Sequence, residues 1–484
     1  MSVITNLTSF LPEVKSPTKK RLSFKEKLKW TLIILVSYFI LTSIPLFGLG
    51  QNALEQFEYL AIIFGTKFGS IISLGIGPIV TASIVLQLLT GSGILKIDLN
   101  THEGKQLFQG LQKLLAVVFI IFEAFIYVMM GGLSPAAGLA PATYSTLQYV
   151  LIIQLIMGGL LILFMDEVVS KWGFGSGVSL FIAAGVSSQI MIRAFSPLTT
   201  AGTLALGSGL APVGQVWVLI RSLIAQDPIG ASRAFFAIAF TIIVFLFAVY
   251  AQAMRVEIPL SFGRIRGHGI RWPLKFIYTS NIPVILVAAL IANLQLWARL
   301  MQNRVGEATS GFIAWTSQHI FGQFSGNLPI SGLVYWTHSP NLVDHVISWA
   351  TSGSFTTSVL LQSLTYSLFM MVGAVIFSIF WMQTSGQDAR SQANKMMSSG
   401  LQIPGFRRDP RVLERMLQRY IFPLTIMGAL VVGFLAAVAD LTGALSRGTG
   451  ILLTVMIIYN LYESIAKDHM MDMNPGMRKF MGGE

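Results

Sequence analysis

The sequence predicts an all-α polytopic membrane protein whose ten transmembrane helices form two pseudo-symmetric inverted halves of five. Three observations predict it. The 484 residues are 54% hydrophobic and only 11% charged, with a mean hydropathy of +0.68, against about 25% charged residues in a soluble domain. Apolar runs of roughly 20 residues, the length needed to cross a ~30 Å hydrocarbon core, recur along the whole chain. Short motifs repeat at an offset of five spans.

The spans are expected near residues 30–48, 70–91, 108–131, 144–165, 176–195, 234–252, 276–299, 356–383, 416–438 and 447–466. With the N-terminus on the cytoplasmic side, 26 of the 33 Lys and Arg fall on that side. The opposite face keeps Lys67, Arg193, Arg221, Arg233, Arg299, Arg304 and Arg447. Such a bias follows the positive-inside rule and places both termini in the cytoplasm. The first 29 residues carry seven Lys or Arg and no apolar core, so they do not read as a secretory signal peptide.

Several stretches are expected not to span. Residues 22–29, LSFKEKLK, suit a short interfacial helix. Residues 54–68 are too short and mixed to cross, yet run directly into the second span. Residues 300–355 form a long external loop, and the loops 253–275 and 384–415 are long and basic. In 254–276, alternation around Gly263, Gly267 and Gly269 predicts a protruding hairpin.

The repeat is carried by two pairs. GIGPIV (75–80) in span 2 matches SNIPVI (280–285) in span 7, and GSGVSL (175–180) in span 5 matches GTGILL (448–453) in span 10. Five is odd, so the second half enters the membrane from the opposite side, about an axis in the membrane plane. The expected boundary separates residues 1–230 from 231–484. Gly75, Gly77 and Pro78 predict a helix break inside span 2, within a stretch free of charge from Ser70 to Leu95.

Little in the chain suggests catalysis. There is no phosphate-binding G-x-x-x-x-G-K-S/T, no H-E-x-x-H and no G-x-S-x-G, and the six His lack metal-ligand spacing. The absence of Cys excludes disulfides and thiol chemistry. No enzyme activity, metal or cofactor is expected. Glu123 is the clear mid-span carboxyl, with Asp440 near one span end and Asp166 and Glu167 near another. Glu123 reads either as a proton-coupling group or as a structural carboxyl facing another helix. Around the breaks stand Ile76, Val80, Val178, Ile182, Ile285 and Leu453, which bind neither ions nor polar solutes. They read as a dry aliphatic constriction or as ordinary helix packing. The basic loops serve orientation and lipid attraction, or dock an anionic partner such as ribosomal RNA.

Five separated motifs, LGIGPIVTASIVLQLLTGSGI (74–94), WGFGSGVSLFIAAGVSSQI (172–190), KFIYTSNIPVILVAALIANLQLW (275–297), IPGFRRD (403–409) and GTGILLTV (448–455), resemble the SecY family in its archaeal form, across essentially the whole chain. That family is the central subunit of the Sec protein-conducting channel. The resemblance implies two clamshell halves around an hourglass pore, with a plug helix at about 55–68. It implies that Ile76, Val80, Val178, Ile182, Ile285 and Leu453 form the pore ring. Spans 2, 3, 7 and 8 then frame a lateral gate with Thr81, Glu123 and Asn293 as its polar cluster. Arg407 and Arg408, with the hairpin's Arg264 and Arg266, are implied to dock the ribosome. The implied partners are SecE (the gamma-type subunit), a third small single-span subunit of beta type, the ribosome, signal peptides, nascent chains and membrane lipids. The implied location is the cytoplasmic membrane. Val178 is smaller than the isoleucine usual at its ring position, and the loop 300–355 matches the family poorly. A secondary transporter of small solutes and a pore-less insertase or scaffold are the competing readings of the same topology.

Overall fold

The computed structural model describes residues 12–18, 22–52, 66–91, 93–95, 97, 101–136, 138–199, 203–205, 210–262, 269–279, 282–305, 315–326, 328–353, 357–398, 401–402, 410–445 and 448–473. Ten helices correspond to the ten expected spans: α1 (Phe24–Ser43), α2 (Gly77–Gly91), α3 (His102–Met129), α4 (Pro141–Trp172), α5 (Gly177–Phe195), α7 (Pro228–Ala253), α8 (Ile282–Val305), α11 (Thr357–Thr384), α13 (Pro410–Leu441) and α14 (Gly448–Met473). Eight helices among the described residues are long and apolar enough to cross a membrane, which makes this a multi-pass membrane protein. Helix α1 falls outside that set because Lys25, Glu26, Lys27 and Lys29 occupy its first turns, and α2 because it has only 15 residues.

The start of α1 corrects one expectation. Residues 22–29 do not form a separate interfacial helix. Ser23 caps the helix, its hydroxyl accepting the Glu26 amide while the Glu26 side chain accepts the Ser23 amide, and the helix continues unbroken to Ser43. The charged turns are simply the polar end of span 1.

Four α-helices among the described residues were not anticipated, α6 (Gln215–Ile224), α9 (Gly332–Trp336), α10 (Leu342–Ser352) and α12 (Ala389–Ser398), nor was a π-helical turn at Ser317–Phe321. The described residues of the expected loop 300–355 are therefore structured. They hold a two-residue ladder between β5 (Phe324–Ser325) and β6 (Leu328–Pro329), then α9 and α10. Gln302 at the end of α8 anchors the ladder, with Nε2 donating to the Phe324 carbonyl and Oε1 accepting the Phe324 amide, both at 2.9 Å.

A short pair, β1 (Gln51–Asn52) with β2 (Leu133–Ser134), ties the chain after α1 to the loop after α3. The expected basic hairpin is present. Strand β3 (Arg255–Phe262) pairs antiparallel with β4 (Gly269–Lys275), and β7 (Leu401–Gln402) joins the other edge of β3 in the register Ser261↔Gln402 and Phe262↔Leu401. Side chains of this sheet have their own apolar base: Ile258 and Leu274 pack with Met382, Met396, Leu413 and Leu417. A second, much larger apolar cluster runs through the bundle and joins both halves.

Candidate functional site

Four of the spanning helices begin where the repeated motifs lie. Residues 70–76 form consecutive turns, and α2 starts only at Gly77. Pro78 is thus its second residue, a position where the missing N–H is one of the donors that a helix start leaves unpaired anyway. The Ile76 carbonyl accepts the first such bond, from the Val80 amide at 3.0 Å, and Gly75 supplies the left-handed turn before it (φ +54°). Likewise α8 starts at Ile282, so Pro283 is again the second residue. The expected break within span 2 is therefore a helix start. Pro and Gly disfavour a helix interior but suit its first turn, and local sequence does not distinguish the two. Helices α5 and α14 begin at Gly177 and Gly448, inside the other repeated pair.

The six aliphatic candidates occupy these starts. Ile76 immediately precedes α2 and Val80 is in its first turn. Val178 and Ile182 lie in the first two turns of α5, Ile285 in the first turn of α8, and Leu453 in the second turn of α14. Ile76, Val80, Ile182, Ile285 and Leu453 are at most 5% exposed. All five belong to the cluster that joins the two halves, and half-buried Val178 packs against it. Helix α14 contacts both α5 and α8, and α8 contacts α2.

Beside α2 the predicted polar cluster is assembled from three helices. The Asn293 amide on α8 donates to the Thr81 hydroxyl on α2 at 2.9 Å. Thr81 is left one proton, aimed at the Gly77 carbonyl at 2.8 Å and at Glu123 Oε1 on α3 at 3.4 Å. The shorter bond to Gly77 dominates. Glu123 is only 3% exposed, and its Oε2 and Asn293 Oδ1 are buried without a hydrogen-bond partner among the described residues. The Gln112 amide on α3 donates to Ser83 on α2 at 2.7 Å, a contact the sequence reading missed. Here a helix from one half touches a helix from the other through polar groups, as Lys27 on α1 also does with Asp468 on α14 at 2.7 Å. Such a contact is specific, because unmaking it strands buried polar atoms, yet it carries only a few hydrogen bonds.

Also missed were the glycines at which helices come closest. A Cβ on Gly158 of α4 would overlap the Ile71 carbonyl oxygen, so α4 lies directly against the turns that lead to Ile76. The signal was present as the Gly158-Gly159 pair in the middle of an apolar span, the small-residue pattern of close helix approach in membranes.

Arg264, Arg266, Arg407 and Arg408, and all of the plug segment before Thr66, lie outside the described residues. The frame around the arginines is described. Segments 263–268 and 403–409 both adjoin the β3–β7 pair, whose hairpin is tied to α14 by ion pairs of Glu463 with Arg255 (2.8 Å) and Lys275 (2.5 Å).

Comparison with known proteins places this arrangement. The family described as SecY matches residues 70–462. The protein translocase subunit SecY of Methanothermobacter thermautotrophicus is 45% identical over 480 residues, covering 98% of each chain. That of Methanocaldococcus jannaschii is 41% identical over 471 residues, covering 97% of each. Among solved structures, one described as a protein conducting channel aligns with a TM-score of 0.79 at 39% identity, covering 98% of this chain and 99% of that one. Sec61 in the canine ribosome-channel complex aligns with a TM-score of 0.76 at 38% identity, covering 98% of this chain and 99% of that one. With the family pattern over most of its length and relatives above 38% identity end to end, the chain belongs to the SecY family.

Proposed function

We propose that this protein is the pore-forming subunit of a protein translocase, passing unfolded polypeptides across the cytoplasmic membrane and releasing apolar segments sideways into lipid. The reading is carried by one observation: six aliphatic side chains at the starts of four helices, from both halves, lie in or, for Val178, against a single apolar cluster. An unfolded chain presents every kind of side chain, so specific binding groups cannot serve it. Branched aliphatics seal by excluding water and repack around whatever passes.

In this reading Ile76, Val80, Val178, Ile182, Ile285 and Leu453 are the ring, and residues 55–68 the plug beside it. The halves 1–230 and 231–484 part between α2–α3 and α8–α11, with Thr81, Glu123 and Asn293 as the polar latch. Arg264, Arg266, Arg407 and Arg408 engage the ribosome, both termini are cytoplasmic, and SecE and a beta-type subunit complete the complex. The protein is no enzyme: the driving force comes from the partner. Relatives described as protein translocase subunits and as a ribosome-channel complex support this assignment.

Site-specific crosslinking from positions 76 and 182 to a stalled nascent chain tests it. Crosslinks at both positions are expected, and their absence from a chain that is nevertheless being translocated would remove the ring from the path.

Docking has a separate test. Arg264→Glu with Arg407→Glu is expected to weaken ribosome binding and to flatten its salt dependence, the slope falling by about one for each phosphate no longer neutralised. Membrane assembly should be unaffected. Identical binding across a salt titration would remove the docking role.

A further inference from the structure

Each half contains a carboxylate that neither lines the ring nor belongs to the polar latch. These are Asp166 near the end of α4 and Asp440 near the end of α13. Both reach across a loop to the start of the next helix. Asp166 Oδ1 accepts the Val178 amide at 2.9 Å, and the Gly177 amide and Ser176 hydroxyl face the same carboxylate. In the other half Asp440 Oδ1 accepts the Thr449 amide at 2.8 Å, while Oδ2 accepts the hydroxyls of Thr449 and of Tyr366 from α11. Asp440 is 8% and Thr449 3% exposed.

The two arrangements correspond through the repeat. Ser176 is the middle residue of GSG (175–177) and Thr449 the middle residue of GTG (448–450), the pair offset by five spans. In each, a hydroxyl and an adjacent amide turn toward an Asp supplied by the preceding span. Packing is also close on both sides. A Cβ at Gly177 would lie 2.5 Å from Asp166 Cα, and one at Gly448 would overlap the carbonyl carbon of Ala439, next to Asp440. An ordinary N-cap is provided by the residue just before the helix and fixes only that residue. A cap provided by a neighbouring helix fixes one helix against another. It joins the unpaired amides and positive dipole end of the helix to a carboxylate, buried at Asp440 and half-buried at Asp166 beside a polar cavity lined by Lys113, Glu167 and Lys171, so that the bond is charge-assisted in both halves.

The capped helices are the ring-bearing α5 and α14. Val178 is itself the residue whose amide Asp166 holds, and Leu453 follows Thr449 by four residues, about one helical turn or ~6 Å. Helix depth and rotation at the cap therefore set where these side chains stand. We propose that Asp166 and Asp440 are paired positioning residues, one per half, which lock α5 and α14 against the preceding span and so hold the resting seal. This rests on the ring assignment above.

The test uses the complete complex in lipid vesicles, with resting ion leak per channel as the readout and thermal melting as a control on folding. Thr449→Val keeps side-chain shape and removes one hydroxyl; Asp440→Asn and Asp166→Asn remove the charge. Each is expected to raise the leak roughly tenfold, as the loss of one charge-assisted hydrogen bond appears in a population ratio. Thr449→Ser, which restores the hydroxyl, should return it to the parental level. Ile285→Gly, run alongside, separates the two claims. If Ile285→Gly does not leak, the ring assignment falls. If it leaks while Thr449→Val, Asp440→Asn and Asp166→Asn stay tight, the positioning role falls. Equal leak from Thr449→Val and Thr449→Ser also overturns it. Should Asp440→Asn fail to assemble, the near-isosteric Thr449→Val still decides for α14, and should Asp166→Asn fail, Ser176→Ala decides for α5 by the same leak readout.

Discussion

Reconstituted channels carrying Ile76→Asn are expected to leak ions at rest roughly 30- to 100-fold more than the parental protein. A ring of aliphatic side chains closes because water inside it finds no hydrogen-bond partners. An amide placed there offers them, lowering the cost of wetting by about 2–3 kcal/mol, with each 1.4 kcal/mol worth about tenfold. Position 76 is the strongest choice. Its side chain is 1% exposed, and its carbonyl receives the first bond of α2 from Val80, so the backbone holds the new group in place. Ile76→Leu keeps the chemistry and should stay tight. Single-channel or vesicle-flux measurements decide: conductance equal to the parental value, in protein with unchanged melting, sinks the ring assignment for this residue. A second expected consequence is translocation of substrates with poor signal sequences, because a seal already partly wetted needs less energy to open.

Gly158→Val is expected to have the largest effect on assembly. Its Cβ has no room, because it would overlap a backbone oxygen of Ile71, and backbone cannot rotate away as a side-chain tip can. Either α4 backs away from the turns at 70–76 or those turns shift with Ile76. Overpacking of this kind costs upwards of about 3 kcal/mol. Little assembled protein should survive detergent extraction, or its melting point should drop sharply. The neighbouring Gly159 provides the contrast. There a Cβ would meet the Ile120 side chain at 2.7 Å, a group that can change rotamer, so Gly159→Ala should be tolerated far better. Equal melting of Gly158→Val and parental protein would show that α4 and the turns are not tightly packed.

Residue by residue, what could be read in advance depended on how local the physics is. Pro78 and Pro283 were legible as special positions, but a proline that starts a helix and one that breaks it have the same neighbours in sequence. Only the turns at 70–76 and the start at Gly77 distinguish them. Thr81, Glu123 and Asn293 were picked out through family likeness. They lie 42 and 212 residues apart, and no local pattern announces that the Asn293 amide meets the Thr81 hydroxyl. Asp166 and Asp440 were visible as carboxyls near span ends, but a span-end carboxylate ordinarily faces water, so nothing local marks these two as caps. The structured loop 300–355 was unreadable for another reason: its helices α9 and α10 are 5 and 11 residues long, too short for periodicity to stand out.

The sequence by itself determined the spans, their inverted pairing and the unequal division of positive charge between the loops of the two sides. These are sums over contiguous residues, since the cost of placing a segment in hydrocarbon depends on its own side chains and hardly on its neighbours. It also determined that the second span carries no charge at its start. Only the tertiary structure decided that the repeated motifs are helix starts meeting in one apolar cluster, that α8 of one half touches α2 of the other through Asn293 and Thr81, and that α5 and α14 are each capped from the span before them. Those are pair interactions over a few ångströms. They exist only once packing has brought distant residues to bonding distance, and close helix approach at Gly158, Gly177 and Gly448 makes that possible.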